Sequence, residues 1–208
     1  EEIKLSLWAL AKEGGWIMIV LAIFSIIAVY IFAERFVTIN KAAKKDDNFM
    51  NMIRSYMIEG KIDDAKDLCK QTDTSISRMI EKGLSRIGKP LNDIQTAIEN
   101  VGNLEVSKLE KGVALIGMIS GAAPMLGFLG TVTGMIRAFY DMSMAGNNID
   151  IELLSAGIYE AMVTTVGGLF VGILAYIFYN IIVAKIDKVV NLLESKSIEF
   201  MDVLNEPA

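Results

Sequence analysis

Three long stretches without any charged residue constrain this chain more than any other feature. Residues 14–33, 112–136 and 161–184 contain no Asp, Glu, Lys or Arg. A helix needs about 20 predominantly apolar residues to cross about 30 Å of hydrocarbon, whereas a helix of a soluble bundle keeps polar residues on one face. The sequence therefore predicts an all-α membrane protein with three transmembrane helices.

The first stretch is predicted to remain in the mature protein. It lacks the basic leader of a signal peptide, since Glu1, Glu2 and Glu13 outnumber Lys4 and Lys12, and no small-residue cleavage site follows it. We expect that Glu1 is not the native start, because no Met opens the chain.

The distribution of Lys and Arg predicts the topology. Two of these residues precede the first stretch, 14 lie in residues 34–111, one lies in 137–160 and three follow Ala184. Positive charge collects on the cytoplasmic side. The predicted segments are a periplasmic interfacial helix 1–13, transmembrane helices 14–34, 112–136 and 156–184, a cytoplasmic helical segment 35–111, a periplasmic loop 137–155 and a cytoplasmic tail 185–208.

The cytoplasmic segment is predicted to consist of amphipathic helices. Apolar residues recur every three or four positions, and breaks are expected at 60–61, 72–75 and 88–90. No break is predicted before Gly112, so a helix starting near Asn92 should continue to about Asp141. The second and third spans are both expected to extend into the cytoplasm. The apolar stripes are Phe49, Ile53, Met57; Ile76, Met79, Ile80, Leu84, Ile87; and Ile94, Ile98, Val101, Leu104.

Several kinds of chemistry are disfavoured by composition. Cys69 is the lone cysteine and there is no histidine, which argues against an internal disulfide and the commonest metal sites. No glycine-rich phosphate loop ending in Gly-Lys-Ser/Thr is present, and a net charge of −5 does not favour a nucleic-acid partner. We expect a non-enzymatic protein with no metal and no cofactor, and with membrane lipid as its surroundings.

Small residues crowd the second and third predicted spans, where they let helices approach closely. Any one Gly-x-x-x-Gly pair is equally consistent with packing inside a single chain, but the size of the set favours oligomerisation. The predicted packing residues are Gly117, Gly121, Gly127, Gly130, Gly134, Gly168, Gly172 and Pro124.

Glu160 is the only charged residue in 153–184. A carboxylate inside a membrane is costly and by default faces a cavity or an ion pathway; the alternative is a glutamate at the membrane interface. Thr164 follows four residues later on the same helical face. The second span carries a matching stripe of small and polar residues, which predicts a pore lining: Ser120, Gly127, Thr131, Gly134 and Ala138.

Two long motifs carry a family resemblance. Residues 124–139 read PMLGFLGTVTGMIRAF and residues 157–169 read GIYEAMVTTVGGL, with Tyr179-Asn180 after them and Glu34-Arg35 after the first span. With these motifs in this order, the chain resembles the MotA/TolQ/ExbB proton channel family. It is most similar to ExbB, and then to TolQ.

The resemblance implies a pentamer in the bacterial inner membrane whose second and third spans surround a dimer of an ExbD/TolR-like single-span protein. A TonB-like or TolA-like protein would transmit the work to the outer membrane. It also implies an ion pathway through Thr131, Thr165 and Glu160, with Thr164 as a second candidate. The alternatives are a TolQ-like role in envelope maintenance, a non-conducting scaffold and, less favoured, a subunit of an ATP-driven transporter. H⁺ and Na⁺ both stay open as the ion.

Overall fold

The chain is all-α in the computed structural model, which describes residues 15–43, 47–144 and 151–205. Those ranges contain no strand, and three of their helical stretches are long and apolar enough to cross a membrane. The predicted fold class with three membrane-spanning helices is confirmed. The predicted interfacial helix 1–13 lies outside the described residues. The helices are α1 (Gly15–Ala42), α2 (Asp47–Ile58), α3 (Ile62–Thr72), α4 (Ser75–Leu84), α5 (Leu91–Glu110), α6 (Val113–Met144) and α7 (Ile151–Asn205).

The chain divides into two compact units. The first comprises residues 1–33 and 112–181, and the second comprises residues 34–111 and 182–208. We call them the membrane unit and the polar unit; α1 and α7 contribute to both. In the membrane unit large apolar side chains are open to the surroundings, as for Ile26 (69% exposed), Phe128 (66%) and Phe170 (65%). Such a surface suits lipid rather than water.

The helix predicted to run unbroken from Asn92 to Asp141 is interrupted. α5 ends at Glu110, Lys111 has the extended backbone angle ψ 122° and Gly112 has φ +80°. Glycine adopts that left-handed conformation without steric cost. The end of α5 is capped inside the polar unit, since Arg35 Nη1 donates a hydrogen bond to the Lys108 carbonyl at 2.8 Å, one of the last carbonyls that has no partner in its own helix.

Residues 137–144 and 151–155, which belong to the predicted loop 137–155, are helical. α6 continues to Met144 and α7 begins at Ile151. The sequence prediction ended the spans at charged residues, although a helix need not end where its hydropathy falls.

The predicted breaks between α2 and α5 are confirmed. Gly60 and Gly88 have φ +72° and +90°, and Asp73 ends α3 with φ +40°. Thr74 and Ser77 then form a reciprocal cap at the start of α4, which supplies two backbone N–H groups with partners. These turns allow the short helices to fold back on one another.

Interlocking apolar side chains form the core of the polar unit. Ile53, Ile80, Ile98 and Phe200 are fully buried. Gly83 makes room for two of them, because a Cβ there would lie 2.7 Å from the Phe200 ring and 2.8 Å from Ile98 Cδ1. The C-terminal part of α7 therefore belongs to this core.

A buried carboxylate joins α4 to α5. Glu105 is 4% exposed and accepts hydrogen bonds from Arg78 at 2.6 Å, Lys108 at 2.6 Å and Ser75 at 2.9 Å. Burial alone would raise the pKa of Glu105, but these three bonds outweigh it and lower that pKa to about 2. Glu105 is therefore ionised at neutral pH and has a partner at each carboxylate oxygen.

Candidate ion-pathway site

Glycines bring the backbones of α6 and α7 together in the membrane unit. A Cβ on Gly127 would lie 2.8 Å from the Thr164 carbonyl oxygen, and one on Gly168 would lie 2.6 Å from that of Ala123. Neither helix could carry a side chain at these positions without moving apart. Close approach of this kind is how helices gain dispersion energy where there is no hydrophobic drive.

The other predicted packing residues differ in what they face. Gly130 lies against the Thr164 side chain, Gly134 against Ala161, and Gly172 against Pro124 of α6. A Cβ added to Gly117 would lie 3.1 Å from the Tyr179 ring, whereas a Cβ added to Gly121 would meet nothing within 4 Å. Most of the small residues are thus used inside one chain, and their number does not by itself require a second copy.

Thr131 of α6 and Thr165 of α7 meet at this seam. Their hydroxyl groups are in hydrogen-bond contact, and Thr131 Oγ1 also lies 3.0 Å from the Ala161 carbonyl oxygen. Thr165 Oγ1 lies 3.3 Å from the carbonyl oxygen of Gly127. Both side chains are partly exposed, so the pair joins the two helices and still presents polar atoms at the surface of the chain.

Thr164 occupies a different environment from Thr165. It is only 2% exposed, and its hydroxyl donates to the Ala161 carbonyl at 2.8 Å within its own helix, a common arrangement for threonine in membrane helices. Its side chain fills the space that Gly130 leaves. The two neighbouring threonines are therefore separated into one that packs and one that pairs with Thr131.

Glu160 lies apart from the threonine pair. Its side chain is half-buried, and Oε1 would be 3.1 Å from a Cβ on Gly15, at the start of α1. Among the described residues no hydrogen bond or ion pair engages its carboxylate. The structure therefore brings Thr131, Thr164 and Thr165 together and leaves Glu160 one helical turn away.

Sequence reasoning missed two small residues that complete the seam. Gly157 lies against Ala138, since a Cβ added to Gly157 would be 2.7 Å from the Ala138 Cβ. The Ala161 carbonyl accepts a hydrogen bond from Thr131. The signal was present as a single face of α7, since Gly157, Ala161, Thr164 and Gly168 follow one another at spacings of three and four. No group of three His, Cys, Asp or Glu side chains that could hold a metal occurs in the described ranges.

These features define a multi-pass helical membrane protein with a polar seam between two of its spans. The model of the MotA/TolQ/ExbB proton channel family matches residues 71–195, which include Thr131, Glu160 and Thr165. The chain belongs to this family, which is a family of transport and channel proteins.

Relatives agree with this assignment at modest identity. An ExbB-like protein of Synechocystis is 27% identical over 175 residues, covering 83% of this chain and 68% of the relative. An ExbB homologue of Methanothermobacter thermautotrophicus is 27% identical over 184 residues, covering 88% and 65%. The Tol-Pal system protein TolQ of Haemophilus influenzae is 32% identical over 100 residues, covering 48% and 42%. The chain thus spans about two thirds of the length of the first two relatives.

Proposed function

We propose that this ExbB/TolQ-family proton channel subunit forms the ring of an inner-membrane motor that uses the proton motive force to energise TonB-dependent outer-membrane transport. The observation that carries the proposal is the contact between the Thr131 and Thr165 hydroxyl groups. It puts two side chains that can donate and accept hydrogen bonds at a glycine-lined seam of two spans.

The hydroxyl groups of Thr131 and Thr165 provide hydrogen-bonding groups beside the ion path. A hydroxyl group can accept a hydrogen bond from a protonated group, and it can also donate one to an ionised group at the same position. In the proposed mechanism, the ion-carrying carboxylate belongs to an ExbD-like single-span partner dimer, and Thr131 and Thr165 orient it or its water. Thr164 holds α7 against α6 and has no direct contact with the ion.

Glu160 has a separate role in this proposal. It is the one carboxylate in the apolar run 153–184, and no described residue pairs with it. Acids in such surroundings mark ion pathways. Glu160 would pass protons between the periplasmic side and the threonine pair, in a chain that has its amino terminus in the periplasm and residues 35–111 and 185–208 in the cytoplasm.

A closed pentamer is the proposed assembly, with the exposed faces of α6 and α7 turned toward the partner dimer. Gly121 supports an external contact, because it is the predicted packing glycine whose Cβ position is open. A second candidate role is that of a TolQ-like subunit working with a TolA-like protein, which the identity of 32% to TolQ supports. A non-conducting scaffold would have no use for Glu160, although it could use the threonine pair to join α6 and α7.

The test replaces the ion-path side chains without changing their shape. In cells whose wild-type copy is deleted, Glu160→Gln and Thr165→Val should each abolish most energy-dependent uptake through an outer-membrane receptor, while oligomer yield stays unchanged. Thr164→Val is the matched control: it keeps the shape that fills the space left by Gly130 and loses mainly a hydrogen bond within α7, so uptake and oligomer yield should both stay close to wild type. Full uptake by the Glu160→Gln/Thr165→Val double variant would overturn the proposed pathway. If the unmodified chain restores envelope integrity but not uptake in cells that lack their own copy, the TolQ-like role is favoured.

A further inference from the structure

A groove in the polar unit has an apolar floor. It encloses about 570 Å³ between α4, α5 and the C-terminal part of α7. Met79 and Leu193 are buried beneath it, whereas Ile198 is 63% exposed at its edge. Gly102 keeps the floor open, since a Cβ there would lie 3.3 Å from Met79 Sδ. Flexible methionines allow such a floor to adapt to an incoming surface.

The charged groups of this groove are all acidic. Glu99, Glu194 and Asp202 line it, and no Lys or Arg does. Glu99 accepts a hydrogen bond from Gln95 at 2.8 Å, but no ion pair engages any of the three carboxylates within the described part of the chain. We call this feature the acidic groove; its chemistry fits a partner surface that is basic at its edges and apolar in its centre.

The same unit carries a surface of that kind. Residues 82–89, which we call the basic turn, comprise the end of α4 and the turn after it. They carry three cations, Lys82, Arg86 and Lys89, and the half-buried Ile87. Ion pairs to these cations are absent from the described ranges. Backbone bonds from Arg86 N to the Gly83 carbonyl at 2.9 Å and from Lys89 N to the Arg86 carbonyl at 3.1 Å hold the turn in one conformation, which lowers the entropic cost of docking it.

We propose that the acidic groove of one copy of this chain receives the basic turn of a neighbouring copy. The inference rests on the proposed ring and names the contact that closes it. Because the groove and the turn are different surfaces, the contact is heterologous, and repeated head-to-tail contacts of this type close into rings. Charge complementarity sets the register, while Ile87 and the methionine floor exclude water.

Cross-linking between tagged copies tests the contact. In a Cys69→Ser background, one copy carries Glu194→Cys and a differently tagged copy carries Arg86→Cys, both in the intact membrane. A short thiol-specific cross-linker should join the two tags. Asp64→Cys, an exposed position on α3, replaces Arg86→Cys as the matched control and should give no such product. A single chain with both cysteines should give a ladder of linked copies; an internally linked monomer would overturn the proposal.

Charge reversal then separates attraction from mere proximity. Lys82→Glu with Lys89→Glu in the Arg86→Cys copy should lower the cross-linked yield about fivefold, as expected for two partly exposed ion pairs. Glu99→Lys with Asp202→Lys in the Glu194→Cys copy should restore it. A closed oligomer in native mass spectrometry without the 86–194 product would overturn this contact and leave the ring intact, whereas a monomer would refute both. Cross-linking of either cysteine to a different protein alone would also overturn it.

Discussion

In the membrane unit α6 and α7 meet through glycine, whereas in the polar unit α4 and α5 meet through large side chains and an ion pair to a buried carboxylate. Gly127 and Gly168 bring two backbones into contact. Ile80 and Ile98 are instead fully buried, and Glu105 binds Arg78 across the helix pair. One chain thus uses dispersion between backbones in one unit and burial of side chains in the other.

The difference follows from the surroundings of each unit. Lipid offers no gain for burying Leu or Ile, so helices associate there by close packing and hydrogen bonds between polar groups. In water, burial of apolar surface contributes about 25 cal/mol of folding free energy per Å², which favours large apolar residues in a core. Substitutions that add a methyl group should therefore be most damaging in the membrane unit, and loss of a charge most damaging in the polar unit.

The largest effect is expected from Gly168→Ala in the membrane unit. The new Cβ would lie 2.6 Å from the Ala123 carbonyl oxygen, where only backbone movement can make room. We expect a loss of about 3 kcal/mol in the free energy of unfolding, the upper range for overpacking, measured by unfolding in mild detergent. Gly121→Ala is the matched control in the dissociated monomer, where it should be neutral or slightly stabilising, since nothing in its own chain lies within 4 Å of its Cβ and alanine favours helix. Equal losses at both positions would show that the seam is not the tight contact.

A smaller effect is expected from Glu105→Gln in the polar unit. The amide keeps the bond with Ser75, but Lys108 loses its carboxylate and Arg78 keeps only that of Asp73, which should cost about 2 kcal/mol of unfolding free energy. The wild-type contribution should depend on pH. Because the pKa of Glu105 is lowered from 4.5 to about 2 on folding, the contribution is fully present above pH 4.5 and is lost as the pH falls toward 2.

The measurement is chemical unfolding of the full chain in detergent between pH 7 and pH 3. The difference between wild type and Glu105→Gln should shrink as the pH falls. Lys108→Ala serves as the control, because the Lys108 side chain is 67% exposed and its ion pair should contribute less than about 1 kcal/mol. A constant difference across this range would contradict the role assigned to ionised Glu105.

The sequence predicted the spans and turns well because those signals are local. Charge-free length identifies a span, and Gly60, Asp73 and Gly88 mark turns whatever surrounds them. The apolar stripe of α5 was only partly right. Leu104 is 62% exposed, whereas Glu105 beside it is 4% exposed. The carboxylate of Glu105 can be buried because Arg78, on another helix, forms an ion pair with it. No periodicity within α5 contains that information.

The candidate site also has features that the sequence predicts and features that depend on how the helices pack. The resemblance brought Thr131 and Thr165 together, while helical spacing alone favoured Thr164 beside Glu160. The structure separates Thr164 from Thr165 by what each touches on α6, which depends on the rotation of one helix against another. The break at Gly112 escaped notice because glycine inside a helix is tolerated, and the end of α5 is fixed by Arg35, which lies far away in the sequence.

The smallest expected effect concerns Cys69, whose thiol sits in the polar unit. It is 1% exposed, and burial raises its pKa to about 12, so almost none of the reactive thiolate exists at pH 7.5. A membrane-impermeant maleimide should therefore leave Cys69 unlabelled from either face of the membrane, and labelling should appear only after unfolding. Topology must be measured elsewhere: in Cys69→Ser, Asp64→Cys should be labelled only when the cytoplasmic face is open. Rapid labelling of native Cys69 would show that α3 leaves the core of the polar unit far more readily than its packing implies.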